Sequence, residues 1–341
     1  MAAAGTGPSA TVLGCVGTLL SPTEAAFLRD ADPFGFILFA RNVETPAQLA
    51  RLTSDLRDAV GRDAPILIDQ EGGRVQRMRA PHWREWVPPF DQIESAAPEL
   101  AQRLIWLRYR LIAAELSTVG IDVNCAPTCD LATPLTHPFL RNRCFGEDAD
   151  TVIAAARAAA GGLLAGGVLP VIKHMPGHGR AVVDSHHDLP CVTAELEDLH
   201  DTDFAVFAGL ADLPLGMTGH IVFKSIDPAR PATASPAIIG LIRGDIGFDG
   251  LLFTDDISMQ ALQGDIRTRS AAAIAAGCDI VLHCNGNRDE AADAVAAAGH
   301  MTDAAKVRAA RALALRHRPD VTEMAALSHE FDAIMDSATH G

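Results

Sequence analysis

The stretch Thr151–His174, TVIAAARAAAGGLLAGGVLPVIKH, decides the fold. Its Ala/Leu-rich first part has helical period through Leu164, and Gly166-Gly167 then breaks the pattern. A short aliphatic run follows, Leu169-Pro170-Val171-Ile172, ending on Lys173-His174. A residue free to take positive φ ends a helix cheaply, so the segment predicts helix, glycine stop, strand. Gly120 and Gly277 hold the same place between an apolar helix and an aliphatic run. Extended outward, the pattern predicts strands over Val12–Leu19, Gly35–Phe39, Ile66–Asp69, Asp122–Ala126, Leu169–His174, Leu215–His220, Leu251–Asp255 and Asp279–His283. Helices are predicted between several of them, over Pro46–Val60, Leu100–Leu116, Thr151–Leu164 and Ala194–Ala208.

The strands lack period-two alternation, as parallel strands covered on both faces do. Eight strand–helix units in roughly 300 residues match a single-domain (β/α)8 TIM-type barrel of the α/β class. A doubly wound open sheet is the competing arrangement, but no GxGxxG follows the first strand. The catalytic barrel is expected over residues 1–300. Residues 301–341 are expected to form extra C-terminal helices, Ala304–Arg316 and Thr322–Met335, on the barrel exterior. Too few residues remain there for a second domain.

Lys and Arg number 28 against 43 Asp and Glu, a formal charge of −15. Nucleic acid and anionic membranes require a basic face, so neither is an expected partner. With 48% apolar and 21% charged residues, the composition is that of a globular chain. The cysteines are Cys15, Cys125, Cys129, Cys144, Cys191, Cys278 and Cys284: an odd number with no CxxC. Free thiols in a reducing compartment are expected rather than a disulfide framework. The N-terminal residues have no basic n-region, and the uncharged run Ala158–Ile172 is short and broken by glycine and proline. A cytoplasmic location is therefore the expectation.

In such a barrel the chemistry sits at the C-terminal ends of the strands. Five predicted ends are rich in ionisable or amide groups: Asp69-Gln70-Glu71, Lys173-His174, Thr218-Gly219-His220, Thr254-Asp255-Asp256 and His283-Cys284-Asn285. The densest segment is Lys173-His174-Met175-Pro176-Gly177-His178-Gly179-Arg180, followed by Asp184-Ser185-His186-His187-Asp188. On an extended loop, residues i and i+2 project to one side, so Asp184 can brace the imidazole of His186. A histidine so held can give and retrieve a proton near neutral pH. The same spacing also suits a surface ion pair. Asp255 closes the apolar run Gly250–Thr254, which places its carboxylate at the barrel mouth. One of the pair Asp255-Asp256 is expected to react and the other to cap or orient the next helix.

Together these segments resemble the family 3 glycoside hydrolases, specifically their single-domain bacterial β-N-acetylglucosaminidases (β-N-acetylhexosaminidases) of peptidoglycan recycling. The matching pieces are Asp69-Gln70-Glu71-Gly72-Gly73-Arg74-Val75-Gln76-Arg77, Lys173-His174-Met175-Pro176-Gly177-His178-Gly179, Asp184-Ser185-His186, and Gly247-Phe248-Asp249-Gly250 running into Thr254-Asp255-Asp256. The resemblance implies a retaining exo-hydrolysis of terminal β-linked N-acetylglucosamine. Asp255 would be the nucleophile, His186 the loop acid/base and Asp184 its dyad partner. Asp69, Arg77, Arg143, Lys173 and His174 would hold the terminal sugar, and His178 would shape the loop. No cofactor and no metal is implied. The expected partner is a small amino-sugar glycoside, bound by a monomer. Larger family members take their acid/base from a second domain, so a barrel loop is expected to supply it here.

The chain departs from the usual family wording at Cys144, Met175 and Thr254, where serine, phenylalanine and serine are common. Arg143 could instead form a structural ion pair with Glu147 or Asp148. The aromatic stretch Trp83–Phe90 is expected as a packed loop rather than a sugar-stacking rim. Three other readings compete: a phosphorylase on the same site, a metal-dependent barrel hydrolase using His174 and His220, and a silent sugar-binding protein. For the second, the first strand carries no His-x-His and the eighth ends in His283 rather than aspartate.

Overall fold

The structure is a computed structural model that describes residues 7–181, 189–319 and 323–339. Eight strands form the barrel: β1 Ser9–Gly14, β2 Pro33–Leu38, β3 Ile66–Ile68, β4 Val123–Asn124, β5 Leu169–Met175, β6 Leu215–Thr218, β7 Leu251–Asp256 and β8 Ile280–His283. Each strand is hydrogen-bonded in parallel to its neighbours in chain order, and β8 closes on β1 with Val12 opposite Leu282. Every residue of β1, β2, β3, β5, β6 and β8 is buried, which explains the missing alternation.

Helices alternate with the strands: α1 Pro22–Ala31, α2 Pro46–Val60, α3 Pro98–Thr118, α4 Ala149–Ala165, α5 Asp203–Ala208, α6 Pro236–Arg243, α7 Ile266–Ala276 and α8 Arg288–Ala298. Their starts follow from capping chemistry. Thr45 accepts from the Gln48 amide at 3.2 Å with Pro46 next, and Asp148 accepts from the Thr151 amide at 2.9 Å. Gly120, Gly167 and Gly277 take φ of 76°, 75° and 113°, the left-handed stops expected of them. Beyond the barrel lie α9 Asp303–Leu313 and α10 Met324–Thr339, the latter against α3.

Two expectations are corrected. The first strand ends at Gly14, not Leu19. Cβ at position 14 would lie 2.3 Å from the Cys284 carbonyl, and the Cys15 carbonyl is taken by Arg41 and Asn42 side chains. The chain therefore leaves the sheet, and the apolar Val16 and Leu19 end up exposed. The helix expected over Ala194–Ala208 is two pieces, Leu196–Asp201 and Asp203–Ala208, broken where Thr202 adopts φ −126°, ψ −89°. Thr202 turns its hydroxyl back to the Asp198 carbonyl and meets Arg180 at 3.0 Å. Side-chain bonding of this kind competes with the helical ladder.

The cysteines are all free, and only Cys191 is exposed. Trp83, Trp86 and Phe90 are buried as a packed loop, with Trp86 edge-on to Phe331 of α10 at 5.4 Å.

Candidate active site

The C-terminal rim of β3 builds the floor of the site. After β3, Gln70–Gly72 pairs antiparallel with Val75–Gln76 in a small hairpin. Asn124 of β4 pins this hairpin by accepting from the Gln70 amide and donating to its carbonyl, both at 3.0 Å. The Gln70 side chain accepts from the amides of Arg77 and Met78, which brings Arg77 back over the strand end. Gly72 has φ 106°, and a Cβ there would overlap the Arg108 guanidinium; only glycine lets that buried arginine reach the Glu71 carbonyl.

Asp69 then meets Arg77 and Lys173, each at 2.9 Å. Glu71 takes Arg143 in a two-pronged pair at 2.9 Å and Lys173 at 2.6 Å. Burial opposes ionisation of both carboxyls, but the facing cations outweigh it. Asp69 is held well below the usual carboxylate range, and Glu71 falls to about 2. Burial likewise opposes the charge on Lys173, and Asp69 and Glu71 reverse that, raising its pKa. Arg143 does not pair with Glu147 or Asp148. Arg141 takes Glu147, and Asp148 caps α4. Three cations thus share two carboxylates beneath the rim, a net charge of +1 among these five groups.

The second cluster forms around Asp130, on the loop after β4. Its Oδ2 accepts from His174 Nδ1 at 2.7 Å, and its Oδ1 accepts from the amides of His174 and His178. A carboxylate here can only accept, so neutral His174 carries its proton on Nδ1 and leaves Nε2 as a lone pair, 3.5 Å from Arg143. Despite burial, His174 and His178 bring the Asp130 carboxyl down to about 2. Burial pushes the His178 imidazole down to about 4, and neither ring nitrogen has a hydrogen-bond partner among the described residues. The amide of His178 shapes the loop, as expected, yet its ring also lines the pocket. Asp130, His174 and His178 have ligand atoms within 4.8 Å of one another, the described group suited to a metal ion. Three N–H donors already occupy that carboxylate.

Asp255 ends β7. Among the described residues its Oδ1 accepts only from its neighbour's amide, Asp256 N, at 2.7 Å, and the side chain lines the cavity. Burial raises its pKa, but His174 and His220, the Asp256 amide and Lys173 together bring it below the usual value. It is therefore an ionised, under-bonded carboxylate on a rigid strand end, with the chemistry that an oxygen nucleophile needs. Asp256 caps no helix. It closes a turn on Ser258 and accepts from Cys284 N, while Asp265 caps α7. His220 is fully engaged as well: Nε2 lies 3.0 Å from the Asp256 carbonyl and Nδ1 2.8 Å from Thr233 Oγ1. Burial lowers its pKa, and neither nitrogen is left for a metal.

Asp69, Arg77, Arg143, Lys173, His174 and Asp255, drawn from four strand ends and one loop, converge on one pocket of about 390 Å³. That volume suits a small molecule; such sites span roughly 300–1,000 Å³. Asp184 and His186 lie outside the described residues. Sequence reading passed over Glu71 and Asp130 as site residues. Glu71 stood inside the motif Asp69–Arg77, and Asp130 lies in the loop a few residues after the predicted strand Asp122–Ala126, which was the available signal.

A closed parallel barrel with an ionised carboxylate and a polar floor at its C-terminal rim is the architecture of a barrel enzyme. The model of the glycosyl hydrolase family 3 N-terminal domain matches residues 13–314, so the chain belongs to that family and is a glycoside hydrolase. It is 36% identical to a β-hexosaminidase of Bordetella avium over 288 residues, 82% of this chain and 81% of that one. A β-hexosaminidase of Pseudomonas aeruginosa is 37% identical over 274 residues, 79% of this chain and 80% of that one. Native NagZ from Neisseria gonorrhoeae superposes with a TM-score of 0.82 at 28% identity, covering 97% of this chain and 96% of its own.

Proposed function

We propose that the protein is a retaining exo-β-N-acetylglucosaminidase that removes terminal, non-reducing β-linked N-acetylglucosamine. The observation that supports this best is Asp255, an ionised carboxylate facing a pocket floored by Asp69, Arg77, Arg143, Lys173 and His174. Those donors and acceptors match the hydroxyl and amide edge of an amino sugar. In the first step, an Asp255 oxygen attacks the anomeric carbon, the glycosidic C–O bond breaks, and His186 protonates the departing oxygen. In the second, His186 takes a proton from water, which attacks the same carbon and releases Asp255 with configuration retained. Asp184 orients His186. The roles of Asp184 and His186 rest on the sequence motif alone.

The β-hexosaminidase relatives support an amino-sugar glycoside as substrate; muropeptide fragments of peptidoglycan recycling, as the source of that substrate, rest on the motif resemblance alone. A cytoplasmic location fits the free cysteines, and no described helix is long and apolar enough to cross a membrane. The same proposal treats 1–300 as the catalytic barrel, 301–341 as accessory helices, and the monomer as the working unit. The test is trapping with a fluorinated amino-sugar, followed by peptide mapping. A label on Asp255, with N-acetylglucosamine released in phosphate-free buffer, supports the reading. A label elsewhere, or turnover that requires phosphate and yields a sugar phosphate, overturns it.

A further inference from the structure

We propose that Arg74 forms a leaving-group subsite that selects glycosides whose aglycone carries a carboxylate. This rests on the pocket being the amino-sugar site proposed above. The cations lining that pocket differ in one respect. Arg77 is paired with Asp69, Arg143 with Glu71, and Lys173 with both. Arg74 lines the same pocket, is exposed, and has no carboxylate partner among the described residues.

It is nonetheless held in place. Its guanidinium carbon lies 3.7 Å from the centroid of the Phe139 ring, a cation–π contact that leaves the in-plane N–H donors open. The same ring lies 5.6 Å from the guanidinium carbon of Arg143, which is buried on the sugar floor. Phe139 thus spans from the floor to the mouth, with Arg74 at the outer end. In an exo-acting pocket the terminal sugar fills the closed end, so the aglycone leaves through the mouth, past Arg74.

The surrounding charge points the same way. Asp255 and Asp256 also line the cavity, its other Lys and Arg side chains are already paired with carboxylates, and the chain carries −15 overall, so Arg74 is the lining cation left to offset repulsion of an anionic aglycone. An unpaired arginine stacked on a ring offers the forked, charge-assisted geometry that a carboxylate takes up. For a neutral aglycone the same residue would be an exposed cation with nothing to bind.

The test compares kcat/KM on two 4-nitrophenyl N-acetyl-β-glucosaminides, one plain and one bearing a ring carboxylate, for the wild type, Arg74→Ala and Arg74→Lys. Taking the mutant-to-wild-type ratio for each substrate cancels their different intrinsic reactivities. Arg74→Ala is expected to lose on the order of 10-fold more on the carboxylated substrate than on the plain one, mainly through KM. Arg74→Lys should recover part of that loss, and added salt should erode the wild-type preference. Equal losses on both substrates, or none on the carboxylated one, overturn the inference alone. Failure of the wild type to cleave either glycoside overturns the amino-sugar reading and this inference with it.

Discussion

Asp255 and Asp256 are chemically identical neighbours, and their surroundings give them different work. Asp256 is tied to Ser258 and Cys284, whereas Asp255 accepts one short backbone bond and faces the cavity. Asp255→Ala is expected to lower kcat on the order of 10⁴-fold and to abolish covalent trapping, while the melting temperature holds or rises. His186→Ala should cost ~10²–10⁴ on poor leaving groups and far less on activated aryl ones, because only the former need a proton to depart. Equal loss on both substrate types would remove the acid role. Glu71→Gln is a different kind of change: it leaves the buried Arg143 and Lys173 undercompensated, and should destabilise the fold by about 3–5 kcal/mol in a denaturant titration. These residues were unevenly legible in sequence. Asp69, Arg143 and Asp255 stand in motifs. Nothing local said that Arg143 would choose Glu71 over the nearer Glu147, because that choice depends on two loops meeting across the rim.

At the scale of elements, short polar caps and glycine stops made the helices readable, and the strand cores were readable as aliphatic runs. Strand ends were not. The run Cys15–Leu20 is as apolar as a strand, yet it leaves the sheet because side chains from Arg41 and Asn42 claim its backbone. Thr202 splits a helix that composition alone would continue. The C-terminal α10 is held to the barrel by Phe331 against Trp86, together with Arg84–Asp332 and Arg103–Glu330 pairs. Phe331 is 4% exposed, so Phe331→Ala should destabilise by about 3–5 kcal/mol and alter Trp86 fluorescence. Arg103→Ala, which removes an exposed pair, should cost no more than about 1 kcal/mol. If both substitutions cost the same, α10 is held by charge rather than by packing.

For the molecule as a whole, the barrel and the helices that follow share contacts, with α9 against β7 and α10 against α3. Thermal unfolding is therefore expected as one cooperative transition; two separate transitions would divide the chain at about residue 300. Stability should fall with acid in two stages. The folded His178 imidazole has its pKa depressed from 6.5 to about 4, so the fold prefers it neutral. Its contribution is complete above pH 6.5 and is lost as pH falls towards about 4. Glu71 follows, complete above about 4.5 and lost towards about 2. Denaturant titrations across this range test both, and His178→Gln should flatten the first stage. The sequence by itself determined the barrel, the order of its units and which carboxylate, Asp255, is the candidate to react, because periodicity, caps and motifs are local properties of the chain. Only the tertiary structure decided which charges pair, that Asp130 fixes the His174 proton, and that Arg74 meets no carboxylate among the described residues. Those outcomes depend on distances between segments far apart in the chain, which are set when the closed sheet brings its strand ends to one rim.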